Sequence, residues 1–567
     1  MQPLIECVPN FSEGNDLSIL ERISNEIKSV EGIKLLNVDP GKATNRTVVT
    51  FVGSPQQVVE AAFRGIKKAG ELIDMSKHRG EHPRMGATDV CPLIPVSGIT
   101  LEETAGFARQ LAKRVGEELQ IPVYLYEAAQ PDKSRSNLSV IRAGEYEGFF
   151  KKIVQTEWKP DFGPSTFDSK RGATVIGARD FLIAYNINLN TTSVRRANSI
   201  AFDIREAGRV KREGNPITGK IVKDENGNPV SVPGKLKSVK AIGWFIEEYG
   251  IAQISMNLTN LSITPVHIAF DQVCKSADSR GIRVTGSELV GLIPLSAMLE
   301  AGRYFLKKQK RSAGVGESEL IRIAIKSLGL DELAPFNPEE RIIEYLLADK
   351  SQAKLVNNSL IEFLEETASE SPAPGGGSIA AYVGALGIAL GTMVANLSSH
   401  KKEWDDQWEE FSNWAEKGQL ISKELMHQVD EDTIAFKAIM ASFSMAKGSE
   451  EEKNLRHTAI QDATKRAILV PFKVMQTALQ GMEILKAMAE KGNPNSVSDA
   501  GVGALCARTA VVGAFLNVRI NGGSCSDKMF IDDIFSRGLE IESSAVKLEA
   551  EILKIVNAKI SSINTIP

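Results

Sequence analysis

Cysteine is scarce in these 567 residues: five thiols, at Cys7, Cys91, Cys274, Cys506 and Cys525, with no C-x-x-C spacing. An odd, scattered set excludes a disulfide framework and suits reduced thiols in a cytoplasm. Neither sign of charge dominates, with 67 Lys and Arg against 71 Asp and Glu. The chain therefore lacks the basic face expected of a nucleic-acid binder. Its first residues, Met-Gln-Pro-Leu-Ile-Glu, have neither the basic start nor the apolar run of a secretory leader. Long uncharged runs are rare too. Ile379 to Leu397 approaches the length of a membrane span, yet it is mostly Ala and Gly and stands alone. It predicts a helix buried in a soluble bundle, where small residues let neighbours approach, and no membrane association. Histidine numbers only six.

Two of those six lie in one stretch, S-K-H-R-G-E-H-P-R-M-G-A-T-D-V, from Ser76 to Val90. Gly80, Pro83 and Gly86 make it a loop, and such a density of titratable groups on irregular backbone reads as a site carried by a scaffold. His78, Glu81 and His82 spell H-x-x-E-H, the pattern of inverted zinc peptidases. Zinc chemistry would need both histidines on one helical face, and Gly80 and Pro83 oppose a helix there. The spacing therefore predicts no metal.

The length allows on the order of three or four domains. Residues 1–180 read as strands and helices in α/β order. Pro3 to Pro9, Ile33 to Val38, Thr47 to Val52, Asp89 to Val96 and Val123 to Tyr126 are strands. Between them, Leu17 to Val30 is a helix, and two more open at Ser54 and at the capping box Thr100 to Glu103. From Phe181 a second strand–helix–strand–strand–helix–strand set runs through residue 335, echoing the first. The predicted fold is thus two ferredoxin-like βαββαβ subdomains (1–180 and 181–335), a linker (336–358) and an all-α helical bundle (359–567). The segment Gly214 to Gly234, with its E-N-G-N-P turn, is expected to be an exposed flap. The irregular stretch Pro160 to Arg179 could line a ligand, but on its own it reads as a link between subdomains.

In the bundle, the glycine-rich turn Pro374 to Ser378 precedes an apolar helix and has the geometry of an anion site, but lacks the G-K-[ST] of a nucleotide loop. A tight turn with a capping serine is an equal reading. His427, Asp430, Glu431 and Asp432 fall on one helical run. Asp430 and Asp432, two residues apart, cannot share a face, so one is nearer the apolar core, where a raised pKa would suit acid–base work.

Taken together, several stretches resemble the formimidoyltransferase-cyclodeaminases. They are E-C-V-P-N-F-S-E-G (Glu6 to Gly14), T-N-R-T-V (Thr44 to Val48), G-E-H-P-R-M-G-A-T-D-V-C-P (Gly80 to Pro92), G-A-R-D-F-L-I-A-Y-N-I-N-L (Gly177 to Leu189), G-S-E-L-V-G-L-I-P (Gly286 to Pro294), P-A-P-G-G-G-S and V-D-E-D-T-I-A-F. The resemblance covers nearly the whole chain. It implies two reactions on one folate in histidine breakdown. The α/β half would move a formimidoyl group from N-formimidoyl-L-glutamate to tetrahydrofolate. The bundle would then close 5-formimidoyl-tetrahydrofolate to 5,10-methenyl-tetrahydrofolate and release ammonia.

The transferase histidine of the family matches His82, and the deaminase aspartate matches Asp432. The family's folate loop maps to Gly163, Pro164, Ser165, Thr166, Phe167, Asp168, Ser169, Lys170, Arg171 and Gly172, which overrides the linker reading. Asp39, Asn45 and Arg46 match positions near the cleft, in second rank. His78 has no counterpart and is expected to be a neighbour or a surface group. Asp499, Asn517 and Asn521 are further candidates for the bundle pocket. The resemblance also implies tetrahydrofolate, in polyglutamylated form, as co-substrate; no metal; and a homo-oligomer built from dimers. A folate-binding scaffold with only one active site is the competing reading, and a different donor or acceptor for the transfer is another.

Overall fold

The computed structural model describes residues 3–42, 44–80, 83–214, 219–347 and 355–564. Contacts divide the chain into two units, residues 1–301 with 324–348, and 302–323 with 349–567.

The first unit holds two sheets. β1 (Leu4–Cys7), β2 (Asn10–Phe11), β3 (Lys34–Gly41), β4 (Arg46–Gly53), β5 (Thr88–Ser97), β6 (Val123–Glu127) and β7 (Thr174–Ala178) form the larger one. The β1/β2 pair lies between β4 and β5, and β3 closes the edge beside β4, all antiparallel. This is the expected ferredoxin-like order, extended by β7 and β6, which run parallel to β5. One face buries Ile5, Cys7, Val49, Phe51, Cys91 and Leu93 against α1 (Leu17–Lys28), α2 (Pro55–Leu72) and α3 (Leu101–Glu118). The α3 cap forms as its sequence predicts: Thr100 Oγ1 accepts from the Glu103 N–H at 3.3 Å, and Glu103 Oε2 accepts from the Thr100 N–H at 2.8 Å. Two short helices, α4 (Leu138–Ile141) and α5 (Glu145–Lys152), pack over the opposite face.

The smaller sheet repeats the plan. β8 (Ile183–Leu189), α6 (Val194–Ile204), the small ribbon β9 (Arg209–Val210) and β10 (Ser231–Val232), β11 (Val239–Ile246), β12 (Ile251–Leu258), α7 (Val266–Asp278) and β13 (Val284–Val290) follow in order. The four main strands pair as β11-β12-β8-β13, all antiparallel. The described residues of the 214–234 insert are largely exposed and pair locally through Arg212 with Ile221 and Lys223 with Pro229. Helices α8 (Leu295–Lys308), α9 (Glu317–Leu328), α10 (Pro338–Arg341) and α11 (Ile343–Leu347) come next.

Beyond residue 355 the described residues form helices only: α12 (Leu360–Ala368), α13 (Gly376–Ser399), α14 (Trp408–Phe443), α15 (Glu450–Lys491), α16 (Val497–Gly522) and α17 (Lys528–Asn564), with short 3₁₀ turns. α13 and Pro494–Gly522 are each long and apolar enough to cross a bilayer by length and composition, and their most apolar windows are 61% and 50% buried within the protein. α13 packs against α14, α15 and α16. A Cβ on Gly384 would stand 3.0 Å from Ala510, one on Gly387 2.7 Å from the Gly503 carbonyl, and one on Gly391 2.9 Å from Leu485. The helix is rich in small residues because its neighbours come that close.

Candidate active sites

His82 lies outside the described residues, as does Glu81, so the site is built here from what surrounds them. The loop that carries them is pinned on both sides. Gly80 packs on the Thr44 backbone, and a Cβ there would collide with it. Past the loop, Gly86 pairs with Gly172, which has φ +69°, and Ala87 N–H donates to Arg171 O at 2.9 Å. The Glu6 to Gly14 segment joins in, as Ser12 Oγ donates to Gly86 O at 2.8 Å.

Asn45 ties these strands of chain together. Its φ of 47° is one that asparagine tolerates better than most residues. Oδ1 accepts from the Gly14 N–H at 3.0 Å and from Asn15 Nδ2 at 2.8 Å, while Nδ2 donates to Arg79 O at 2.7 Å. The Asn45 carbonyl faces His78 Nε2 at 2.8 Å. The expectation for His78 as a surface group is corrected here: it is 7% exposed, and Arg84 Nε donates to its Nδ1 at 3.0 Å. Burial, with Arg84 beside it, pulls the imidazole below its ordinary pKa. With both nitrogens engaged, His78 offers no lone pair to a metal, and among the described residues no group of three or more His, Cys, Asp or Glu could hold one.

Charge is buried on the same sheet. Arg46 donates to Asn10 Oδ1, and burial pulls it down to about 10 against the attraction of Asp89. Asp89, fully buried, pairs with Arg142 and accepts from the Met85 N–H at 3.1 Å. Glu6 lies on β1 between the core residues Ile5 and Cys7, so it points to the opposite face. Burial lifts it to about 7, opposed by Arg179. Asp39 is held apart from this cluster: its Oδ2 accepts from the Gly291 N–H at 3.0 Å and forms an ion pair with Arg341 at 3.8 Å.

The 163–172 segment is docked onto the histidine loop. Met75 N–H donates to Lys170 O at 2.9 Å, and Tyr146 OH to Ser169 O at 2.5 Å. Phe167 sits among Tyr146, Phe149 and Phe150, with centroids 5.6 to 6.3 Å apart. Asp168 caps the turn, accepting from the Lys170 and Arg171 N–H groups at 2.9 and 3.1 Å, and pairs with the Arg171 side chain. Gly163, at φ +85°, nests against Gly116 and Ile121. Pro164 is half-buried, and Gly163, Ser165, Thr166, Ser169 and Lys170 are the exposed members.

In the bundle, Asp432 projects from α14 onto the first turn of α13. Its Oδ2 accepts from Ser378 N–H at 2.8 Å and lies 2.8 Å from Ser378 Oγ, which also stands 3.1 Å from Val429 O. A Cβ on Gly377 would fall on Oδ1. The anion at this glycine-rich helix start is therefore the protein's own carboxylate. Burial raises the Asp432 pKa, and the two Ser378 bonds oppose it. Asp430 turns elsewhere, accepting from Leu355 N–H at 2.9 Å. Asn517 lies at the same end of α13, 3.2 Å from where a Cβ on Gly376 would stand, and Asn521 Nδ2 donates to Ala467 O at 2.8 Å. Asp499 is in the first turn of α16, eighteen residues or about 27 Å of helix from Asn517. It lines the opposite end.

Ser378, Arg84, Asp89, Arg142 and Glu147 were not singled out by sequence. The last four pair with residues tens of positions away, which no local pattern reveals. The capping-serine reading is corrected: Gly375 is the N-cap of α13 and Ser378 lies in its first turn, where its hydroxyl meets Val429 O and Asp432 instead.

Two α/β sheets with an irregular histidine loop, followed by a helical bundle with a half-buried carboxyl, are the arrangement to be compared with known proteins. Profiles described as "Formiminotransferase domain, N-terminal subdomain", "Formiminotransferase domain" and "Formiminotransferase-cyclodeaminase" match residues 4–179, 184–348 and 359–537. The chain is 42% identical over 560 residues to formimidoyltransferase-cyclodeaminase of Mus musculus, covering 99% of this chain and 100% of that one. It is 44% identical over 306 residues to glutamate formimidoyltransferase of Thermoplasma acidophilum, 54% of this chain and 92% of the relative. It is also 33% identical over 205 residues to methenyltetrahydrofolate cyclohydrolase of Methylorubrum extorquens, 36% and 99%. The chain belongs to the formimidoyltransferase-cyclodeaminase family.

Proposed function

We propose that this chain moves a formimidoyl group from N-formimidoyl-L-glutamate to N5 of tetrahydrofolate, then cyclises the product. In the first step the N5 lone pair attacks the formimidoyl carbon, N5 loses its proton, and the glutamate nitrogen leaves after gaining one. His82 carries that proton, and the 163–172 segment, with Asp39, Asn45 and Arg46, holds the folate and its partner. In the second step N10 attacks the same carbon. The formimidoyl group reacts as its amidinium (=NH2+); Asp432 takes the N10 proton and delivers it to that NH2, which leaves as ammonia and leaves the positive charge on the 5,10-methenyl bridge. The observation that carries this reading is Asp432 itself: a carboxyl on a buried helix face, raised by burial and held by Ser378, is poised to hold and release a proton.

The wider reading follows the family: a cytoplasmic transferase and ammonia-lyase of histidine degradation, a homo-oligomer built from dimers, acting on polyglutamylated folate. Its subdomains are 1–180 and 181–335, with a linker at 336–358 and the cyclodeaminase at 359–567. The test follows methenyl-folate by its near-ultraviolet absorbance. From 5-formimidoyl-tetrahydrofolate, Asp432→Ala should slow product formation by about 10²–10⁴-fold while His82→Ala leaves it unchanged, and the transfer assay should give the reverse. If one substitution abolishes both activities in folded protein, independent sites are wrong. If either activity is absent from the parent chain, the scaffold with one active site replaces this reading.

A further inference from the structure

We propose that His78 is a positioning residue of the transferase site: clamped between Asn45 and Arg84, it holds in place the residues that flank His82 on either side. The inference rests on the reading of His82 as proton carrier.

The geometry assigns the state of the ring. A backbone carbonyl can only accept, so Nε2, 2.8 Å from Asn45 O, carries the hydrogen. Arg84 Nε can only donate, so Nδ1, 3.0 Å away, is bare. The two neighbours together select one neutral tautomer. A ring used on both sides cannot exchange a proton with substrate without opening the clamp, so His78 does not do the chemistry.

The clamp is anchored at both ends. Arg84 is 6% exposed, with Nη2 2.6 Å from Glu147 Oε1 and Nη1 3.7 Å from Glu145 Oε2, both on α5. Asn45 is fixed by its bonds to the Gly14 and Asn15 turn and to Arg79. A continuous set of contacts thus runs from α5 through Arg84, His78 and Asn45 to the Gly14 turn, and residues 78 and 84 bracket position 82. Protonating His78 would set an Nδ1–H against the Arg84 N–H and break the clamp. The charged groups facing it are Arg84, Arg79, Glu13, Glu145 and Glu147. Burial and Arg84 hold the ring below its ordinary range, so the clamp stays shut at neutral pH and opens on acidification.

The experiment compares His78→Phe and Glu147→Ala with the parent full-length chain. It reads transferase kcat and KM against pH, amide hydrogen exchange across residues 76–80, and cyclodeaminase activity as an internal control. His78→Phe should lower transferase kcat about 10²-fold with KM little changed, and speed exchange about tenfold. Cyclodeaminase activity should stay within about twofold, and the acid limb of transfer that His78 contributes should vanish. Transfer within about twofold of the parent, or a fall in kcat without faster exchange, overturns the proposal. If His78→Phe fails to fold, Glu147→Ala decides, because that side chain is 58% exposed. It should cost about threefold in kcat and speed exchange, and no change in either sinks the clamp. His82→Ala separates the two readings, since it should abolish transfer and leave exchange as in the parent. Transfer that survives it removes His82 from the mechanism, whereas unchanged exchange in His78→Phe removes the clamp.

Discussion

The two candidate sites rest on opposite kinds of scaffold. In the α/β unit the described residues that flank position 82 lie outside helix and strand, and buried charges and glycine contacts from four separate segments hold them. In the bundle, Asp432 sits within a helix of 36 residues, and one neighbour, Ser378, fixes its carboxyl. A helix supplies direction without further help, whereas a loop must be given it contact by contact. The α/β site should therefore be the more brittle of the two.

Buried against exposed ion pairs gives the largest contrast. Asp89 is fully buried and Arg142 13% exposed, so Asp89→Ala strands a charge. It should cost about 3–5 kcal/mol, read as a fall in the urea midpoint for loss of transferase activity. Glu431 and Arg466 in the bundle stand at 3.0 Å with 28% and 49% of their side chains exposed. Glu431→Ala should cost at most about 1 kcal/mol. Equal losses would show that the α/β unit is not held by its buried charge.

Glycine substitutions sharpen the same contrast. Gly172 combines φ +69° with a Cβ position that runs into the Met85 carbonyl, which is backbone and cannot yield cheaply. Gly172→Ala should cost about 1–3 kcal/mol and weaken transfer by displacing the segment that Gly86 pairs with. The atoms nearest a Cβ on Gly377 belong to the Asp432 carboxyl, which can swing away, and alanine favours a helix by about 1 kcal/mol. Gly377→Ala should leave thermal stability within about 1 kcal/mol and lower cyclodeaminase activity by tenfold or more, because it moves the carboxyl. A thermal melt with both activity assays distinguishes the outcomes.

How far these differences were legible follows from their range in sequence. Capped elements were readable: Thr100 and Glu103 close their box, and Ile251–Leu258 forms as a strand at its expected limits. β7 was hidden inside a stretch read as irregular, because T-V-I-G-A is buried from end to end between two parallel neighbours and shows no alternation. Helix geometry said that only one of Asp430 and Asp432 could face a pocket, and their partners, Leu355 and Ser378, do diverge. The choice between them came from the resemblance, not from the helix. Of the two expectations for His78, the surface group failed because its partners lie 33 residues before it and six after, across turns that no periodicity records.

The smallest effect expected is also the most direct measure of what the bundle site does. Removing the Ser378 hydroxyl leaves the backbone N–H bond to Asp432 but deletes the side-chain bond that favours its charged form. Ser378→Ala should cost about 1 kcal/mol of stability as a lost side-chain hydrogen bond. It should also raise the Asp432 pKa further, since burial is then less opposed. The sign can be followed through. Asp432 is already raised in the fold, so ionising it is unfavourable there, and its contribution is best at low pH and fades as pH climbs through the folded value. Ser378→Ala moves that fading to higher pH, and the cyclodeaminase limb that reports Asp432 should move the same way, while transfer keeps its own profile. A limb that stays in place would mean that some other group governs the cyclisation, and the contrast between a single-partner carboxyl and a many-partner loop would lose its chemical half.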